Sequence, residues 1–262
     1  MDFRTIVDIP DPGFRIGPCE ELLFVGSCFA TEIGRHFQEE KFRATVNPFG
    51  VMYNPASILH TIERWDTASC KVVFLTLGTN HVYRLKETGE IVDNCQKRPS
   101  YLFQEEELSV EACTEYLEQS VKMLRQRNTD VSIVLTVSPI RYRKYGYHGS
   151  QLSKATLLLA TQKVDADYFP AYEIVNDELR DYRFYKEDML HPSDQAVTYI
   201  WERFTDSYLS DEAKQFLKEW ASLKAVLNHK PFDPESEEYQ ALIDKTMLKV
   251  AALQKKYPNF AL

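Results

Sequence analysis

Two runs, Val72-Val73-Phe74-Leu75-Thr76-Leu77 and Val131-Ser132-Ile133-Val134-Leu135-Thr136-Val137, are apolar at nearly every position and end in turn-forming residues. A strand without a polar face must be covered on both sides, which is the condition of the central strands of a parallel sheet. The stretches between such runs are amphipathic at helical spacing, so strand and helix alternate as in βαβ units. Leu22 to Val25, Phe42 to Val46 and Tyr168 to Val175 extend the series. The pattern predicts a five-stranded parallel sheet between two helical layers, an α/β/α fold.

Helices are expected from Cys28 to about Gln38, after the Asn54-Pro55 cap, over Val110 to Arg127, and around Ser153 to Lys163. Val82 to Leu85 and Ile91 to Asp93, joined through Glu87-Thr88-Gly89-Glu90, read as a small excursion hairpin outside the main sheet. After His191-Pro192 only helical patterns follow: Ser193 to Tyr208, Asp211 to Leu227 and Glu235 to Lys256. Residues 1–207 are therefore expected to form the α/β domain, and residues 208–262 a C-terminal helical extension packed on it.

The formal net charge of −8 and the lack of a basic run remove the electrostatic term behind nucleic-acid and anionic-membrane binding. The amino-terminal segment carries charges and prolines instead of an apolar stretch, and no run of eighteen apolar residues occurs, so a cytoplasmic location is expected. Five cysteines without C-x-x-C spacing read as free thiols. The oligomeric state stays open.

Ligands of open parallel sheets bind beyond the carboxyl ends of the strands, where four loops carry suggestive residues. Ser27 follows the first strand and begins a helix, whose free amides favour a developing negative charge. Gly50 follows the second strand, and its missing side chain lets an amide approach a reacting carbonyl. Asn80 follows the third, with an amide to donate. Asp188 and His191 follow the fifth, at a spacing that sets a carboxylate against Nδ1 and leaves Nε2 free. Taken singly, each has a structural explanation: Ser27 as a helix cap, Gly50 in a turn, Asn80 holding a loop. Jointly they supply nucleophile, base, orienter and oxyanion donors at one edge.

Gly26-Ser27-Cys28-Phe29-Ala30 is the stretch that names the GSCFA family, which the chain resembles along nearly its whole length. Further matching segments are Asn47 to Pro55, Leu77-Gly78-Thr79 with Val82-Tyr83, Ser138-Pro139 with Leu152 to Ala155, and Asp188 to Ala196. That family is similar to the wider SGNH or GDSL-like hydrolases, which implies a flavodoxin-like α/β/α fold and a serine esterase site. In this resemblance Gly26-Ser27-Cys28 takes the place of Gly-Asp-Ser, leaving two candidate nucleophiles. Ser27 is preferred because it ends the first strand directly, while Cys28 suits a small buried packing residue. Gly78-Thr79-Asn80 resembles the Gly-x-Asn of those enzymes, although His81 stands where they have Asp.

The expected chemistry is hydrolysis of a short-acyl ester, such as an O-acetyl group, of a carbohydrate or small metabolite. Ser27 would attack, His191 would move the proton, and Asp188 would hold the imidazole. Oxyanion donors would be the Ser27 and Gly50 amides and the Asn80 side chain. No metal or organic cofactor is required. Acyl transfer through the same triad, or a binding role on a decayed hydrolase fold, are the rivals. Tyr53, His81, Arg98 and Arg141 are candidate substrate-binding residues; Arg143 and Lys154 join the basic group, for which surface solvation is the favoured reading. Tyr142, Tyr145 and Tyr147 fit an aromatic pocket and a water-facing loop equally well, and Asn94 to Lys97 form one more candidate loop.

Overall fold

The computed structural model describes residues 4–93, 95, 98–260 and 262; of the candidate loop at 94–97, only Cys95 lies within them. In chain order, β1 (Glu21–Gly26), α1 (Cys28–Glu39), β2 (Arg43–Val46), α2 (Pro55–Arg64) and β3 (Val72–Leu77) come first. The excursion follows as β4 (His81–Leu85), β5 (Ile91–Val92) and β6 (Phe103–Glu107). Then come α3 (Val110–Arg127), β7 (Ser132–Val137), α4 (Gly146–Thr161), β8 (Asp167–Tyr168) and the single turn α5 (Ala171–Glu173). The chain ends in α6 (Asp194–Tyr208), α7 (Asp211–Leu227) and α8 (Glu237–Lys256).

The main sheet has the order β2-β1-β3-β7-β8 and every pair is parallel. Successive side chains of a strand point to opposite faces, and the central strands divide accordingly. Leu22, Phe24, Val72, Phe74 and Val134 face one core, where Phe24 and Phe74 stack at 4.5 Å. Leu23, Val25, Val73, Leu75, Ile133 and Leu135 face the other. The first core is closed by α1, α6, α7 and α8, and the second by α2, α3 and α4. Both faces being buried explains why β3 and β7 carry no polar alternation.

The fifth strand is shorter than expected. β8 pairs with β7 over Asp167 and Tyr168 only, and residues 171–179 are helical, continuing from α5 into a π-helical turn over Ile174–Leu179. Pro170 has no amide for a ladder and its restricted φ suits a helix start, so Ile174, Val175 and Leu179 enter the core from a helix. The excursion is a three-stranded antiparallel sheet, β5-β4-β6, instead of a hairpin. β6 reads Phe-Gln-Glu-Glu-Glu, with no apolar alternation to mark a strand. Helix α4 begins at Gly146, earlier than the expected Ser153.

The C-terminal helices share the first core. Phe216 of α7 meets Phe42 edge-on at 6.1 Å and Tyr257 at 5.1 Å, and Trp220 packs on Phe260. The amino-terminal segment closes the same side: Ile16 donates to Tyr208 and accepts from Ser210 across the α6–α7 junction. Among the described residues no helix is long and apolar enough to cross a membrane.

Candidate functional site

The β1–α1 junction is tightly constrained. Gly26 has φ +139°, and a Cβ there would lie 2.1 Å from the Thr76 carbonyl oxygen, so only glycine lets β1 end against β3 at this point. Ser27 follows as the cap of α1 and is fully buried. Its Oγ accepts from the Phe29 amide at 3.3 Å and lies 3.2 Å from Thr76 Oγ1. Ser27 thus occupies a cap position with no exposed hydroxyl, unlike the attacking group expected there. Cys28, the first residue of α1, is half-buried instead of interior, and its Sγ lies 3.5 Å from the Tyr53 hydroxyl. Among the described residues no acceptor meets the Cys28 amide. That free N–H stands at the positive end of the helix dipole, where it can donate to a negatively charged ligand atom.

Asp188 and His191 form the expected pair. Met189 at φ +58° folds the turn, so that Asp188 Oδ1 accepts from the amides of Leu190 and His191 at 2.8 and 3.0 Å. Asp188 Oδ2 accepts from His191 Nδ1 at 2.6 Å, which fixes the tautomer and leaves Nε2 as the basic nitrogen. The three hydrogen bonds, those from the two backbone amides foremost, hold the carboxyl down at about 2. Both side chains are more than a third exposed. The turn lies along α1: Lys186 donates its amide to the His191 carbonyl at 2.8 Å, and its Nζ lies 3.3 Å from Glu32, one helical turn beyond Cys28 on the same face. Among the described residues no hydrogen bond joins His191 Nε2 to Ser27 Oγ or to Cys28 Sγ.

The three expected oxyanion donors are engaged elsewhere. The Ser27 amide donates to the Thr76 carbonyl at 3.1 Å and to Thr76 Oγ1 at 3.0 Å. The Gly50 amide closes a turn onto Asn47 at 2.8 Å. Buried Asn80 donates its side-chain amide to the Leu108 carbonyl at 2.8 Å, and so holds the start of the excursion. The bonds of buried Ser27 and Asn80 satisfy groups that would otherwise be buried unpaired.

Tyr53 meets the thiol, Tyr142 packs on Tyr53, and Lys154 lies at the Tyr142 ring. Tyr53 lies between Cys28 and a cavity of about 300 Å³ lined also by Val51, His81, Tyr83, Tyr142 and Tyr145. Burial and the neighbouring Cys28 push the Tyr53 phenol up to about 12, so it stays protonated at neutral pH. Tyr142 meets Tyr53 edge-on at 6.0 Å, and its hydroxyl oxygen is buried with no hydrogen-bond partner among the described residues. Lys154 is buried, contrary to the surface position expected of it; its Nζ donates to the carbonyls of Gly78 at 2.6 Å and Ser138 at 2.7 Å. Those bonds tie together the loops that leave β3 and β7. Burial pushes the amine down to about 7. The serial tyrosines after β7 were the available signal for Tyr142, and nothing in the local pattern marked Lys154 as interior.

The candidate substrate-binding residues divide between places. Tyr53 and His81 line the aromatic cavity, where His81 stacks on Tyr145 at 3.6 Å and desolvation lowers its pKa. Arg141 lines a separate cleft of about 290 Å³ with Arg180, Tyr182 and Tyr185. It also joins the Asp188–His191 turn, donating its amide to Leu190 and Nη1 to Met189, both at 3.0 Å. Arg98 is exposed and lies over the Phe103 ring of the small sheet.

Among solved structures the chain is similar to a protein described as a GDSL-like lipase from Parabacteroides merdae, at 13% identity, with a TM-score of 0.48, 74% of this chain and 99% of that one covered. A carbohydrate esterase of family 3 from Talaromyces cellulolyticus matches at 9% identity and TM-score 0.44, over 76% of this chain and 99% of that one. A family 3 carbohydrate esterase from Clostridium thermocellum matches at 15% identity and TM-score 0.39, over 79% and 97%. No curated protein matches. The GSCFA family model matches residues 21–69 and 65–204, and the model of the C-terminal domain of GSCFA domain proteins matches residues 220–262. With most of its length matched in this way, the chain belongs to the GSCFA family.

Proposed function

We propose that the chain is an acyl-ester hydrolase in which Cys28, rather than Ser27, is the nucleophile, with His191 as general base and Asp188 as its orienter. One contrast carries this reading: at adjacent positions of one helix start, the Ser27 hydroxyl is buried and hydrogen-bonded, whereas the Cys28 thiol is accessible beside a free amide. The thiol proton passes to His191 Nε2 as Sγ bonds to the acyl carbon. The collapsing intermediate expels the alcohol, which takes that proton back, and water then resolves the thioester. Closing the gap between Nε2 and Sγ on substrate binding is ordinary for a free enzyme, whose catalytic hydrogen bonds tighten only in the complex. The aromatic cavity beyond Tyr53, which Asp93 and Lys144 also line, supports a short-acyl ester of a carbohydrate or small metabolite as substrate. An alcohol acceptor in place of water would turn the same site into an acyltransferase.

The test is turnover of p-nitrophenyl acetate by single variants. Cys28→Ala is expected to abolish it, and Ser27→Ala to keep it within a few-fold. The reverse pattern would restore Ser27 as nucleophile. A second reading, a binding protein on a hydrolase-like fold, is favoured by the engagement of all three expected oxyanion donors. It predicts no turnover in the wild type and no acyl group on Cys28.

A further inference from the structure

We propose that Tyr142 Oη and the Cys28 amide together receive the oxyanion formed when Cys28 attacks an ester carbonyl. The inference rests on the reading of Cys28 as nucleophile and deepens it. A tetrahedral intermediate needs donors that are free before substrate arrives; the Ser27 and Gly50 amides are taken, and one of the two side-chain N–H groups of Asn80 is bound to Leu108. The Cys28 amide is free because it opens the helix. Tyr142 carries a further donor, its hydroxyl, that has no hydrogen-bond partner among the described residues.

Its position follows from Gly78. A Cβ on that residue would stand 2.4 Å from Tyr142 Oη and 3.3 Å from Ser27 Cβ, so the phenol reaches through the space that glycine leaves, up to the residue preceding the thiol. Lys154 Nζ lies 5.2 Å from the centroid of the same ring and, fixed by two carbonyls, holds the phenol in place. A buried hydroxyl without a partner is a destabilising arrangement that a fold has no structural reason to keep. Holding a donor unpaired until charge develops on the substrate is a functional reason. Burial raises the phenol well above its ordinary value, so the proton is present to donate throughout the working range.

Tyr142→Phe removes one oxygen and breaks no hydrogen bond among the described residues. In the full-length chain it is expected to lower kcat for p-nitrophenyl acetate by about 10²-fold with little change in KM. Alkylation of Cys28 by iodoacetamide, a displacement that forms no oxyanion, is expected to stay within about two-fold of wild type, with Tm unchanged or raised. Retained ester turnover overturns the proposal, as does an equal fall in turnover and alkylation, which would mean that the phenol only shapes the site. Full turnover in Cys28→Ala would instead remove the underlying reading and this inference with it. Loss of turnover in Cys28→Ala beside wild-type turnover in Tyr142→Phe would remove this inference alone.

Discussion

Ser27 and Cys28 show how one step along a chain exchanges structural for chemical duty. The cap position turns the serine side chain back onto the amides of α1, while the first helical position turns the next one outward. Ser27→Ala should therefore lower stability by about 1 kcal/mol, measured by urea unfolding, with the cap bond to Phe29 lost. Lys154 gives a prediction with a definite sign. The folded amine sits at about 7 against an ordinary 10.5, so between those values the unfolded chain binds a proton that the folded chain has released. Stability from this group is lowest below about pH 7 and rises as the pH climbs toward 10. In Lys154→Met that part of the rise is expected to vanish; equal slopes in both proteins between about pH 7 and 9 would contradict the assignment. The residues alone offered both readings of Ser27, cap and nucleophile, and left Cys28 as the second candidate. Gly26-Ser27-Cys28 announced a site, yet only packing against Thr76 separates a cap from an accessible group, and burial of Lys154 depends on two carbonyls far away in sequence.

At the scale of elements, the legible parts are those whose pattern is set locally. β3 and β7 were readable because burial on both faces leaves an unbroken apolar run, and α3, α6 and α7 because their apolar stripes keep helical spacing. β6 was not, since it is a charged strand held only by pairing with β4. The C-terminal half of the expected fifth strand was misread because a run of apolar residues after Pro170 suits a buried helix as well as a strand. Asp188 and His191 were found by their spacing, which the Met189 turn converts into a 2.6 Å contact. The β1–α1 junction yields a prediction at this scale. Gly26→Ala would drive a methyl group into the Thr76 backbone at a φ that L-residues avoid, and a loss of more than about 3 kcal/mol, or failure to fold, is expected by thermal unfolding.

Over the whole molecule, the rim and its scaffold are one construction: the same core face that carries α1 is closed by helices from the last quarter of the chain. Removing residues 208–262 would uncover Phe42 and its neighbours, and each buried aromatic contributes about 1.5–3 kcal/mol. Several such losses are of the same size as the ordinary stability margin of about 5–15 kcal/mol. The 1–207 fragment is thus expected to bind a hydrophobic dye and to unfold without a sharp transition, and cooperative unfolding like that of the full chain would mean that the extension is dispensable. The central claim, that the accessible thiol and not the buried hydroxyl takes the acyl group, has a direct test. The full-length protein is mixed with p-nitrophenyl acetate, quenched in acid within the first turnover, and mapped by peptide mass spectrometry. An acetyl group on Cys28, absent when His191 is replaced by Gln, is the predicted result; an acetyl group on Ser27, or none on either residue, would contradict it.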